Sequence, residues 1–152
     1  MKDIRERIMN LFMKIVVRDE CKIMFTRKYQ PFASYDENLI VLNLREGAID
    51  SQFIDHIRKS HGYKRAHEIS PQIWTALHEV GHLKTECDSD EDALMREFCE
   101  WANEKGVLPQ KTINRLWYEM PDEWAATEWA TDFVKKHYIF CKLFGKAVGN
   151  GK

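Results

Sequence analysis

The run Thr75-Ala76-Leu77-His78-Glu79-Val80-Gly81-His82 governs the reading of the rest of the chain. Residues four apart share one face of an α-helix, so His78 and His82 can grip a single ion together. Glu79 is one position round from His78. Its carboxylate therefore sits beside that ion, within reach of a water proton, which makes it the candidate general base. Ser70-Pro71 supplies an N-cap and a first-turn proline, and no proline interrupts the motif. Glycine in mid-helix costs about 1 kcal/mol against alanine. Gly81 therefore implies that a neighbouring element approaches closely there.

A catalytic zinc usually takes three protein ligands and keeps one position open. The third ligand is expected on another helix, and the run from Asp122 to Asp132 offers Glu123 and Glu128. Glu123 falls in the first turn, where the helix dipole alone favours a carboxylate. Glu128 is mid-helix beside Ala125 and Trp129, on the expected inward face, and is preferred as the ligand, with an ion pair to Lys135, Lys136 or a cation distant in sequence as the plainer alternative. Asp132 follows one turn later on the same face. It is expected to accept a hydrogen bond from the free nitrogen of a ligand histidine, His78 before His82.

Outward from the motif, the chain divides into one helix, a small sheet and a helical remainder. Asp3 can cap a first helix whose apolar face is read as Ile4, Ile8, Leu11, Phe12 and Ile15. Strands are expected at Lys22 to Thr26, at Pro31 to Tyr35 and, most strongly, at Leu39 to Leu44. Asp36-Glu37-Asn38 is the turn before the last of these, and Gly47 closes the region. Amphipathic helices are then expected from Ile49 to about Gly62, through the metal motif, from a Ser89/Asp92 capping box to Gly106, from Pro109 to Met120, and from Asp122 through Phe144. The tail 145–152 is expected to fray. The pattern predicts an α+β fold in a single domain spanning 1–152.

Bulk properties agree with a globular protein. The chain has 152 residues, 44% hydrophobic, with a net charge of −1, so nothing draws it electrostatically to nucleic acid or a membrane. No apolar run is long enough to span a bilayer. The first twenty residues interleave charge with apolar side chains, unlike a signal peptide. Cys21, Cys87, Cys99 and Cys141 match no disulfide or zinc-finger spacing, which predicts reduced thiols and a cytoplasmic protein.

His78-Glu79-Val80-Gly81-His82 followed by Glu128-x-x-x-Asp132 resembles the gluzincin pairing of HExxH with a downstream ExxxD. Together with the order helix, small sheet, metal helix, it resembles the small ImmA/IrrE-type metallopeptidases. The resemblance implies a minimal zincin-like domain with a sheet of about three strands. It also implies Zn2+ as cofactor and a protein or peptide substrate, such as a regulatory repressor, cut by activated water. No helix-turn-helix segment is recognisable. An intact Glu79 favours an enzyme over a zincin-shaped module that only binds a partner.

Other residues carry weaker signals. His56, His61 and His67 read as scattered surface histidines. Tyr118, His137 and Tyr138 are candidates to polarise a carbonyl. Trp101, Trp117, Trp124 and Trp129 read as core, and Cys87 as a loop thiol. The strand 39–44 is expected at an edge of the sheet, where an extended substrate could pair with it.

Overall fold

The computed structural model describes residues 3–45, 48–85 and 90–149. Gly47, Cys87, Ser89 and the end of the expected tail, 150–152, lie outside the described residues.

Asp3 caps α1 (Ile4–Val17), accepting a hydrogen bond from the Arg5 N–H at 3.1 Å. The buried face of α1 is Met9, Phe12, Met13 and Val17. Of the expected face only Phe12 is in the core; Ile4, Leu11 and Ile15 are exposed. The helix is apolar on two sides, so periodicity alone does not select the inner one. Packing does: Phe12 stacks on Phe140 (5.2 Å between ring centres) and tilts against Phe144 (5.4 Å).

The sheet contains β1 (Lys22–Phe25), β2 (Phe32–Ser34) and β3 (Leu39–Leu42) in the order β1-β3-β2. β1 runs parallel to β3, with Lys22 opposite Leu39, and β2 runs antiparallel to it, with Phe32 opposite Val41. The β2–β3 turn passes through Asn38 at φ 48°, a left-handed position that asparagine tolerates. β3 is central and every residue in it is buried. This corrects the expected edge position: an uninterrupted apolar run is the mark of a strand paired on both sides and covered on both faces. The outer strand toward the helix that carries His78 and His82 is β2.

Asp50 caps α2 (Ser51–Ser60) through the Phe53 N–H, 3.0 Å away. A short 3-10 turn, Ala66–Glu68, leads to α3 (Pro71–Thr85). Ser70 Oγ accepts from the Gln72 N–H at 3.3 Å, as expected of the cap. α3 is the central helix, with every residue from Gln72 to Gly81 buried. Its Trp74 indole donates to the Ala66 carbonyl at 2.8 Å.

α4 (Asp90–Lys105) and α5 (Gln110–Tyr118) form a hairpin with its own small apolar cluster of Cys99, Ala102 and Ile113. α6 (Pro121–Lys136) starts with Pro121 in its first turn, and α7 (Tyr138–Val148) follows a break at His137. The sequence suggested one helix from Asp122 through Phe144, because no glycine or proline marks this break. Folding back lets α7 bury Cys141, Gly145 and Val148. A Cβ on Gly145 would stand 3.0 Å from that of Ser70. The residues from Gly145 to Val148 are therefore packed helix, not the expected frayed tail. The architecture is α+β: an N-terminal helix, a small mixed sheet, then helices. No helix among the described residues is long and apolar enough to cross a membrane.

Candidate metal centre

α3 presents His78, Glu79 and His82, and α6 lies directly across it. The approach is set at Gly81, where a Cβ would fall 2.4 Å from the Ala126 carbonyl oxygen. The inner face of α6 is correspondingly narrow: Ala126, Thr127, Ala130 and Thr131 are all buried. With Glu123 they form a ladder at three- and four-residue spacing, and this ladder determines which carboxylate meets the histidines.

That carboxylate is Glu123. His78 Nε2 lies 2.8 Å from Glu123 Oε2, His82 Nε2 lies 3.4 Å from Glu123 Oε1, and the two Nε2 atoms are 3.1 Å apart. Among the described residues this is the one group of three such side chains whose donor atoms converge within 4.8 Å. Bonds to zinc of about 2.0–2.2 Å put ligand atoms roughly 3.3–3.5 Å apart on a tetrahedron. The observed separations are of that size, and two imidazoles with one carboxylate suit a borderline-soft divalent ion. The donor set therefore fits.

Glu128 is not in this group. It is half-exposed, and its Oε2 is 2.6 Å from His61 Nδ1. Five residues beyond Glu123, it points away from the inner ladder. Trp129, which suggested an inward face, instead stacks on Phe133 at 5.5 Å on another side of the helix. Asp132 is exposed, and the position expected for it beside His78 belongs to Thr127. The Thr127 hydroxyl donates to the Glu123 carbonyl at 2.8 Å and faces His78 Nδ1 at 3.2 Å. Its proton being used there, the hydroxyl can only accept from Nδ1–H. With an ion bound, this contact would favour the tautomer that turns the Nε2 lone pair to the ion between Glu123 and His82. The sequence signal for both residues was the run of small and β-branched residues in register with Glu123, matching the small residue Gly81 across the helix contact.

The electrostatics follow from burial and proximity. Burial pushes the Glu79 carboxyl up; His78 and His82 partly offset this, while Glu123 adds to it. Burial opposes ionisation of Glu123 too, but hydrogen bonds with His78 and His82 outweigh it and hold this carboxyl well below the usual range. Burial pulls His82 down, yet Glu123 and then Glu79 leave it raised. The first turn of α6 is anchored by buried Asp122, which accepts from the Glu123 N–H at 2.8 Å and pairs with Arg96 of α4. Tyr35 reaches over from the end of β2 to donate to the His82 carbonyl.

A cleft of about 650 Å³ opens onto the cluster. Its walls include Phe32 and Ala33 of β2, Phe53 of α2, Arg96 and Tyr118. Of the hydroxyl and imidazole candidates, only Tyr118 lines it. Burial and then Asp50 keep that phenol protonated by pushing its pKa up. Tyr138 instead donates to Glu68 beneath Arg65, and His137 packs on Phe133.

His56 and His61 are buried, contrary to the surface reading, while His67 is exposed. Trp124 covers both, 4.1 Å from the His61 ring and 5.6 Å from that of His56. Among the described residues neither Nε2 has a hydrogen-bond partner. Trp101 is exposed, and Trp117, Trp124 and Trp129 are half-buried rather than core. Cys21, Cys99 and Cys141 are free thiols. No family model, curated protein or solved structure matches this chain, so the site is described by its geometry: a buried His78, His82 and Glu123 cluster able to hold a metal ion, with Glu79 beside it.

Proposed function

We propose that this chain is a zinc-dependent peptidase acting on a protein or peptide substrate, with His78, His82 and Glu123 as ligands and Glu79 as general base. The observation that carries this reading is the position of Glu79. A buried carboxylate adjoins a three-donor cluster at the floor of an open cleft, and a purely structural metal site has no use for it. Zinc bound there would supply Lewis acidity, polarising a carbonyl and acidifying water. Glu79, with its raised proton affinity, suits taking a proton from water and passing it to the leaving amine. Thr127 holds His78 in the ligating tautomer. The outer strand β2 lines the cleft and offers an extended peptide unpaired backbone groups on its free side. Tyr118 and Arg96 also line the cleft, where donors to a developing oxyanion are useful.

The test is hydrolysis of a complex peptide mixture by zinc-loaded protein, with new termini identified by mass spectrometry. Wild type is expected to generate them at preferred sites. Glu79→Gln, which keeps the shape but cannot take the proton, is expected to generate none while retaining zinc. Equal cleavage by both proteins refutes the assignment of Glu79.

A further inference from the structure

Two helix faces are apolar, exposed and oppositely charged. On α1, Ile4, Leu11 and Ile15 are exposed on the side away from the core, and Arg7, Lys14 and Arg18 are exposed beside them. The sole acid within α1, Glu6, is half-buried. α7, which packs on the inner side of α1 through Phe12, Phe140 and Phe144, separately exposes Ile139, Leu143 and the base Lys146. On α4, Leu94, Phe98 and Trp101 form a stripe at helical spacing, with Phe98 and Trp101 6.0 Å apart. Exposed Glu97, Glu100 and Glu104 stand beside it; the inner side of the same helix is already used by Cys99 and Ala102.

Contiguous exposed apolar surface on a soluble domain marks an interaction site. Charge selects the occupant. A second α1 against α1 would oppose bases with bases, and α4 against α4 acids with acids. α1 against α4 pairs bases with acids over an apolar seam. Spacing agrees as well: Arg7 and Lys14 are separated by seven residues, as are Glu97 and Glu104. At ~1.5 Å rise per residue both pairs span roughly 10 Å.

We propose that a second copy of this chain is the partner, with α1 of one copy docked along α4 of the next. The contact is heterologous, so it builds rings or open chains rather than a closed two-fold dimer. It depends on neither the metal cluster nor peptidase activity.

Sedimentation velocity of the full chain over a wide concentration range tests it. Wild type is expected to associate reversibly, and more weakly at high salt. Glu97→Lys/Glu100→Lys/Glu104→Lys and Arg7→Glu/Lys14→Glu/Arg18→Glu are each expected to weaken association by roughly tenfold or more. An equimolar mixture of the two variants is expected to associate again, because each then offers the other a complementary face. Trp101→Ser and Leu11→Ser, single exposed changes that leave the charges intact, should each weaken it as well. A wild type that stays monomeric throughout, or a mixture of the two charge variants that does not reassociate, overturns the proposal. So does association that neither charge reversal nor either serine variant changes.

Discussion

Gly81 on α3 faces the backbone of Ala126 on α6 with no room for a methyl group: a Cβ there would lie 2.4 Å from the Ala126 carbonyl oxygen. The obstacle is main chain, so it cannot rotate away. This contact sets the distance between the helix carrying His78 and His82 and the helix carrying Glu123. Gly81→Ala is expected to force α6 outward, at an overpacking cost of about 1–3 kcal/mol that the better helix propensity of alanine offsets by about 1 kcal/mol. The larger effect falls on the metal. Zinc affinity, measured by competition with a chromophoric chelator, should drop markedly in Gly81→Ala. Unchanged affinity would mean that Glu123 does not depend on this spacing.

Thr127 is predicted to act through its hydroxyl on His78. Thr127→Val keeps the branched shape and removes the acceptor for His78 Nδ1–H, so zinc binding should weaken by roughly ten- to a hundred-fold. Thr127→Ser keeps the hydroxyl and should stay near wild type. Equal affinities for valine and serine variants would reduce Thr127 to a packing residue.

The two glutamates on α6 separate cleanly. Glu123→Gln removes the charged donor from the cluster and should abolish stoichiometric zinc in metal analysis of purified protein. Glu128→Gln alters an exposed partner of His61 and should leave zinc content unchanged. The opposite pattern would restore Glu128 as the ligand.

Acid sensitivity is expected from the buried histidines outside the cluster. Burial, and then the nearby His61, lower the His56 pKa from 6.5 to about 4. The folded state therefore favours the neutral ring, and the unfolded chain binds the proton first. This contribution is neutral above the unfolded pKa, grows against folding as pH falls below about 6.5, and levels off below about 4. The full loss is on the order of 3 kcal/mol. Urea unfolding of chelator-treated protein at neutral and mildly acidic pH should show a smaller pH-dependence for His56→Leu than for wild type. Identical slopes would exclude His56 as a source.

Local signals in the sequence suffice where one interaction dominates. Asp3 and Ser70 cap the helices assigned to them, and Gly81 marks the close approach it implied. The HExxH helix lies where its cap and spacing placed it. Choices between faces were not local. α1 is apolar on two sides, and only the α7 aromatics choose Phe12 over Leu11. In α6 the bulky Trp129 suggested an inward face, whereas the contact with Gly81 required the small one, which moved the carboxylate from Glu128 to Glu123. The run at Leu39–Leu42, expected at an edge, is the central strand, and its uninterrupted apolar character is the mark of that position. The break at His137 carries no sequence mark because it is made by the docking of α7 under Ser70.

The most direct test is anomalous diffraction at the zinc absorption edge from crystals of the zinc-loaded protein. The account predicts one strong peak per chain bonded to His78 Nε2, His82 Nε2 and a Glu123 carboxylate oxygen, with Glu79 beside it and Glu128 still on His61. No peak at this position, or a peak whose third protein ligand is not Glu123, would contradict it.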